Sequence, residues 1–188
     1  MKPFLLGLTL ICSAAPLWAQ KPVGSRAFTA EESRRSLWPK FQRMSHGQYV
    51  GEFAALQYLL RNQGFYKGTP TGVFDAKGSN KTENAIKAFQ RAKGLKVDGI
   101  VGTQSWPKLL VRLKKGDRGD AVRALQTLLN TQQDDRHEPI YGAVKVDGIF
   151  GTGTDRVLKL FQKDNALITD GVAGPQTWSL LLSPAVGD

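Results

Sequence analysis

Hydrophobic residues recur at helical spacing in two related sets along the chain. The first set comprises Phe53, Leu56, Leu59, Leu60, Ile86, Phe89, Trp106, Leu109 and Leu110. The second set comprises Val122, Leu125, Leu128, Leu129, Leu158, Phe161, Trp178, Leu181 and Leu182. Spacings of three and four residues predict amphipathic helices, and the alternation typical of strands is almost absent. Each set therefore predicts three helices, and the fold class is all-α.

Residues that start and stop helices lie at the edges of these segments. Asn80 followed by Glu83 resembles a capping box at the start of the second helix. Gly94 fits a C-terminal stop for that helix. Pro175 suits the first turn of the last helix, and Pro184 follows its predicted end.

The two hydrophobic sets belong to an internal repeat. Residues 89–106 superpose without a gap on residues 161–178, and eight of the eighteen positions are identical. Upstream, residues 47–60 correspond to residues 116–129 with an offset of 69. A repeat of this length is typical of one structural unit used twice. It predicts two modules: module 1, residues 46–112, and module 2, residues 116–184.

A shorter loop motif recurs inside the modules. Residues 97–103 and 146–152 agree at six of seven positions, residues 170–174 are a further copy, and residues 71–74 are a copy without the Asp. The motif predicts a structural turn in which Asp accepts backbone N–H bonds and the first Gly takes a positive φ. The apolar residue after that Gly is expected to fill the core. A calcium loop is the alternative, but Ile100, Val101 and Phe150 occupy positions where oxygen ligands would be needed.

The first residues predict a secretory signal peptide, residues 1–19. Lys2 supplies a positive charge, residues 4–11 form a short apolar run, and a cleavage site precedes Gln20. Lipidation of Cys12 is the alternative, but the residues before Cys12 lack the usual small side chains. The expected location is therefore exported: periplasmic, cell-wall associated or secreted, with a basic N-terminal segment at residues 20–45 and no transmembrane segment.

Composition narrows the chemistry. The formal charge is +10, which favours attraction to polyanions. Cys12 is the single cysteine, so disulfides, zinc–thiolate sites and a cysteine nucleophile are not expected in the mature chain. His137 lies in an acidic cluster at residues 134–138, but one imidazole without a partner favours a solvated loop over a metal site. We predict no catalytic residue, no metal, no cofactor and no enzymatic activity.

The order of these motifs resembles the peptidoglycan-binding-like domain family. Module 1 carries the resemblance at residues 55–60, 89–90 and 95–110, and module 2 at residues 124–129, 147–151, 161–162 and 167–182. The resemblance implies two tandem three-helix bundles. It also implies a non-catalytic domain that targets bacterial cell-wall peptidoglycan and is often attached to wall hydrolases.

The chain departs from the family pattern in two places. Thr71 replaces the first loop Asp of module 1, which also has a longer stretch around residues 78–80, and module 2 carries an insertion at residues 131–145. These departures predict unequal ligand binding by the two modules. The adjacent leucines favour core positions for Trp106 and Trp178 over exposed platforms for sugars. Polar or aromatic groups near the loops are the candidate ligand contacts: Arg61, Tyr66, Arg91, Tyr141 and Lys163.

The leading hypothesis is an exported, non-catalytic protein that binds peptidoglycan, through its glycan strand or its stem peptide, with two modules. One alternative is an adaptor that binds a partner protein such as a cell-wall hydrolase. Another is a fragment or accessory of a wall hydrolase. Nucleic-acid binding fits the charge but not the predicted signal peptide, and the chain lacks a basic stripe interleaved with aromatic residues.

Overall fold

A computed structural model describes residues 50–73 and 80–183, which form six α-helices and no named strand. The helices are α1 (Val50–Asn62), α2 (Lys81–Ala92), α3 (Trp106–Leu109), α4 (Asp120–Asn130), α5 (Thr152–Asp164) and α6 (Pro175–Leu182). The predicted all-α class with three helices in each module is confirmed. The signal peptide, the basic N-terminal segment, His46 and Pro184 lie outside the described residues.

The first helices of the two modules, α1 and α4, pack against each other more extensively than any other pair of described helices. They run antiparallel, because Gly51 near the start of α1 lies against Thr131 after the end of α4. At the opposite end, the backbone N–H of Ala121 donates to the Asn62 side chain at 3.4 Å. The buried hydrophobic residues of both modules form one cluster. The modules therefore share a single continuous core.

The two indoles are the largest side chains of that core. Trp106 and Trp178 are both fully buried, which confirms the prediction that they anchor the core. The Trp178 Nε1–H donates to the carbonyl oxygen of Val111 at 2.9 Å. This bond satisfies the buried polar group of the ring, and it ties module 2 to the segment that follows α3.

The segment between α3 and α4 is bonded to module 2 along its length. Leu113 and Ala173 exchange two backbone hydrogen bonds, at 3.3 and 2.8 Å. Further along, the Gly116 N–H donates to Phe150 O, and the Phe150 N–H donates to Asp117 O, both at 2.9 Å. The connecting segment thus forms an ordered edge of module 2. Because the chain after α3 is bonded to module 2, α3 ends after four residues.

Helix ends confirm one predicted signal and correct another. Gly94 has a φ of 63°, and the Leu95 N–H donates to Gln90 O at 2.9 Å, so the predicted stop is confirmed. The predicted capping box at Asn80 is wrong: within the described residues its side chain caps no backbone amide, and its φ is 43°. Glu83 pairs instead with Lys87 at 2.6 Å, one turn further along α2.

Candidate functional site

Four buried glutamines hold the four glycine-containing loops. Each is 1 % exposed: Gln57, Gln90, Gln126 and Gln162. In the three loops that contain Asp, the glutamine side-chain oxygen accepts the N–H of the loop Gly. The side-chain nitrogen donates to the Asp carboxylate and to the carbonyl two residues after it. Because most of these partners are loop atoms, the loop conformation is set from inside the core.

Gln126 of α4 is an example of how one of these side chains is bonded. Its Oε1 accepts from the Gly148 N–H at 2.9 Å, and its Nε2 donates to Asp147 Oδ1 at 3.0 Å. The same nitrogen donates to Thr154 Oγ1 at 3.2 Å in the first turn of α5. One side chain therefore joins a helix, a loop and the start of the next helix. In the sequence, these glutamines stand in the Leu-Gln pair of the first helix and the Phe-Gln pair of the second helix of each module. Those pairs contributed to the family resemblance but indicated no structural role for the glutamine.

The loop aspartates are used for structure. Asp147 Oδ1 accepts the Ile149 N–H at 2.8 Å, and Asp98 Oδ1 accepts the Ile100 N–H at 3.0 Å. The side-chain hydrogen bond from Gln126 and the Ile149 amide lower the pKa of Asp147 below its ordinary value. The loop Gly148 has a φ of 75°. The predicted structural turn, with its positive-φ glycine, is confirmed.

Module 1 builds its first loop without an aspartate. The Gln57 side-chain oxygen accepts the N–H groups of both Thr71 and Gly72, at 2.8 and 3.1 Å. The Thr71 hydroxyl takes the place of the carboxylate and accepts the Val73 N–H at 3.3 Å. The turn thus survives the substitution, with a neutral acceptor in place of a charged one.

The residue that follows the loop glycine was expected in the core, and this prediction is wrong. Ile149 is 42 % exposed, whereas the next residue, Phe150, is 1 % exposed. The same alternation buries Val101 and Ala173 in the other loops. The cause is the turn itself, because its backbone bond to Asp holds Ile149 outside and successive side chains of an extended segment point to opposite sides.

Exposed aliphatic side chains consequently border the loops. Those in or next to a loop, the loop-edge aliphatics, are Val73, Val97, Val146, Ile149 and Ile168. They make up five of the nine large hydrophobic residues that are exposed in the described part of the chain. Sequence reasoning missed this surface. Its signal was the β-branched residue on either side of an Asp-Gly pair, of which only the residue after the Gly was given a role, as a core residue.

Of the predicted ligand contacts, Arg61 is engaged between the modules. Its Nε and Nη2 donate to the two carboxylate oxygens of Asp120 at 2.6 and 2.8 Å, and its Nη1 donates to Gly68 O at 3.0 Å. Its guanidinium also lies 5.2 Å from the centre of the Tyr58 ring. The side-chain hydrogen bond from Arg61 holds the pKa of Asp120 below its ordinary value. Arg61 therefore links the two modules through this ion pair.

The two predicted tyrosines differ in their surroundings. Tyr66 is buried, 7 % exposed, and belongs to the shared core near Arg61. Tyr141 is half-buried and meets Phe161 edge-on at 5.9 Å between ring centroids. Burial raises the pKa of Tyr141, and the nearby Asp164 carboxylate adds to the rise. The structure brings Arg61 and Tyr66 together, while Tyr141 lies in module 2.

The remaining predicted contacts, Arg91 and Lys163, are counterparts in the repeat. Each directly follows a loop-holding glutamine, in the last turn of α2 and of α5 respectively. Both side chains are exposed. They therefore present one positive charge at the same place on each module.

The insertion of module 2 contains a turn closed by its own hydrogen bonds. Asp134 Oδ1 accepts the N–H groups of Arg136 and Glu138 at 2.9 and 3.0 Å, and the Arg136 side chain returns to Asp134 at 2.9 Å. These bonds close a turn around His137, which has a φ of 63°. In the described part of the chain, no three histidine, cysteine or acidic residues group together to hold a metal ion.

Three exposed positive charges lie on the segment bonded to module 2. Lys114, Lys115 and Arg118 are all exposed there. Arg118 also pairs with the loop residue Ile149 through an isolated backbone bridge. We call these three cations the basic edge. Their counterparts 69 residues earlier are Ser45, His46 and Tyr49, so the repeat places three lysines and arginines on one module only.

Comparison with known protein families identifies the modules. Residues 51–109 and residues 118–181 each match the family described as "Putative peptidoglycan binding domain". The two matches cover more than half of the chain. The protein therefore belongs to this family and carries the domain twice in tandem. No described helix has both the length and the apolar character that spanning a membrane requires.

Similar proteins include an uncharacterised protein and two that are named as amidases. The chain is 37 % identical over 141 residues to the uncharacterised protein YbfG of Bacillus subtilis, which covers 71 % of this chain and 18 % of YbfG. It is 33 % identical over 117 residues to N-acetylmuramoyl-L-alanine amidase CwlM of Mycobacterium tuberculosis, covering 56 % of this chain and 26 % of CwlM. A probable N-acetylmuramoyl-L-alanine amidase of Bacillus licheniformis is 26 % identical over 189 residues, covering 89 % and 51 %. The chain thus spans about half or less of the length of each of these relatives.

Proposed function

We propose that this chain is an exported, non-catalytic protein that binds bacterial cell-wall peptidoglycan through its two modules. The observation that carries the proposal is the pair of family matches, one in each module. The formal charge of +10 supports it, because the wall contains carboxylates that attract a basic protein. The predicted signal peptide would deliver the protein to that polymer.

The contact surface that we propose lies at the loops of each module. There the loop-edge aliphatics offer methyl groups to the apolar side of a sugar ring or a peptide, next to backbone polar groups. Arg91 and Lys163 add one cation to each module, and the basic edge adds three more to module 2. A ligand that carries carboxylates would gain from these charges, mainly in its rate of approach.

A sedimentation assay tests the proposal. The chain is mixed with purified insoluble peptidoglycan across a salt series, and an anionic resin of matched charge serves as the control. Retention by peptidoglycan that persists at high salt is the expected result, since salt screens exposed charges. If retention falls with salt as steeply on peptidoglycan as on the resin, the interaction is charge attraction and the proposal fails.

A pair of variants tests the surface within the same assay. Ile149→Ser changes a loop-edge aliphatic, and Leu180→Ser changes a side chain of similar exposure, 39 %, on the outer side of α6. We expect Ile149→Ser to weaken retention several-fold at high salt and Leu180→Ser to leave it unchanged. Equal effects of the two changes would contradict binding at the loops.

A second candidate function is that of an accessory to a wall hydrolase. Two of the similar proteins are named as N-acetylmuramoyl-L-alanine amidases, and this chain covers only part of each. The test adds the chain to a purified amidase of that class and measures the release of soluble peptidoglycan fragments. A faster release than with the amidase alone would favour this function, and release by the chain alone would overturn its non-catalytic assignment.

A further inference from the structure

At the two ends of the interface between α1 and α4 the same repeat positions meet, although the residues at these positions differ. Gly51 and Asp120 are counterparts 69 residues apart, and so are Asn62 and Thr131. Gly51 contacts Thr131 at one end of the interface, so closely that a β-carbon on Gly51 would collide with Thr131 Cγ2. At the other end Asn62 accepts a bond from Ala121, directly after Asp120. An interface with this exchange pattern is isologous, so an approximate two-fold rotation relates the modules.

This arrangement is held by bonds that leave little freedom between the modules. Arg61 of α1 donates two hydrogen bonds to the Asp120 carboxylate of α4. The Trp178 ring and Ala173 are both bonded to the connecting segment. The shared core fills the space between α1 and α4. The two modules therefore hold a fixed orientation relative to each other and are not joined by a flexible linker.

A two-fold rotation has a consequence for any ligand with two distinguishable ends. The rotation reverses the direction of a strand that crosses the axis at a right angle. It moves a strand that runs parallel to the axis to the opposite side of the molecule. No straight, directional strand away from the axis is carried onto itself. A glycan strand has a reducing and a non-reducing end, so one straight strand cannot occupy equivalent surfaces of both modules in the same sense.

We propose that the two modules bind two separate glycan strands, so that one protein molecule bridges neighbouring strands of the wall. This inference rests on the proposed function, and it takes the glycan strand as the part of peptidoglycan that each module binds. The loop-edge aliphatics occur on both modules: Val73 and Ile149 follow the glycine of the first loop in module 1 and in module 2, and both are exposed. Each module thus presents its own copy of the contact surface.

A two-strand capture assay tests bridging. Glycan strands that keep their stem peptides, freed from cross-links by an endopeptidase, are attached sparsely to a surface and loaded with the full chain. Fluorescent strands are then added in solution. The expected result is capture of fluorescent strand in proportion to the bound protein. Retained protein that captures no second strand overturns bridging and leaves the proposed function standing, whereas a surface that retains no protein overturns both.

Self-association would imitate bridging, so the complex is also weighed by light scattering. One copy of the chain per pair of strands supports the inference. Two copies, each with one strand, overturn it.

Strand length provides an independent readout. Two surfaces that share one strand would bind long strands about 10²–10⁴-fold more tightly than strands that fill one module, because the second contact becomes intramolecular. For bridging we expect the Kd per strand to change by no more than a few-fold along a length series. A rise in affinity of about 100-fold or more at the length that spans both modules overturns the inference.

Discussion

Module 1 and module 2 repeat the same helices and the same loop-holding glutamines, but they differ where they meet. The repeated positions, such as Gln57 and Gln126, make equivalent bonds inside each module. The positions that hold the modules together are not repeated: Arg61 pairs with Asp120, whereas their counterparts are Asn130 and Gly51. The comparison teaches that duplicated residues maintain the module, and that diverged residues hold the pair in one arrangement.

The largest expected effect comes from the two indoles, Trp106 and Trp178. Either change to alanine should lower the free energy of unfolding by roughly 3–5 kcal/mol, because each removes a fully buried aromatic ring. Only Trp178→Ala should also speed hydrogen exchange at the amides of Leu113 and Gly116, since only Trp178 bonds Val111. Urea denaturation and hydrogen exchange at low denaturant measure the two effects. Equal exchange in both variants would show that the connecting segment does not depend on Trp178.

The loop-holding glutamines should rank next. Gln57→Ala and Gln126→Ala should each cost about 2–4 kcal/mol, since buried loop groups lose their partners at about 1–3 kcal/mol each. Gln126→Ala should additionally raise the pKa of Asp147 toward its ordinary value, because the bond from Gln126 is the first cause of the lowering. NMR titration measures that pKa. The exposed Gln176→Ala is the control, with an expected change within about 0.5 kcal/mol.

The ion pair between the modules should have a smaller effect that depends on pH. Arg61→Ala should cost about 1–2 kcal/mol at neutral pH, between the values for exposed and for buried pairs. The folded-state pKa of Asp120 lies below its ordinary value of 3.8, so the stabilisation is present above 3.8. It is lost as the pH falls through the lower folded-state pKa.

The difference in stability between wild type and Arg61→Ala should therefore shrink in acid. Denaturation curves at several pH values check this, with Arg91→Ala, an exposed arginine on α2, as the matched control. A difference that stays constant down to the lowest pH at which the chain folds would mean that Asp120 is not the relevant partner.

The smallest expected effect compares the ends of α2 and α5. Gly94 and its counterpart Ala166 both have a positive φ, 63° and 52°, which suits glycine and strains alanine. Ala166→Gly should raise the free energy of unfolding, and Gly94→Ala should lower it, each by about 1 kcal/mol. Space is not the cause at Gly94, because an added β-carbon would have no neighbour within 4 Å. Changes of the same sign would contradict the strain argument.

Prediction from sequence succeeded where a pattern is local. The apolar spacing in Leu56, Leu59 and Leu60 located α1, and Gly94 marked the end of α2. Prediction failed where a local motif is compatible with two different conformations. Asn80 lies at a helix start yet caps nothing in the described chain, because its own backbone is left-handed. Ile149 follows a loop glycine yet lies outside, because the turn bond to Asp147 sets which side chain enters the core.

The candidate site was less predictable than the fold. Arg61 was a reasonable ligand contact by composition, but its partner Asp120 lies 59 residues away, and no spacing rule connects them. The loop-edge aliphatics could be recognised in the sequence as hydrophobic residues near the loops. Their exposure, however, depends on the buried glutamine that bonds each loop from inside the core. Surface exposure is a property of the packed molecule, so sequence patterns identify candidates for it and cannot rank them.

The amino-acid sequence by itself determined the number and order of the helices, the duplication and the turn motif. Each of these follows from interactions within a few residues, where helix and turn geometry leave few choices. Only the tertiary structure decided that α1 and α4 pair antiparallel, that the connecting segment joins module 2, and that Arg61 holds Asp120. Those outcomes depend on how two complete surfaces fit together. Residues far apart in the chain contribute to that fit jointly.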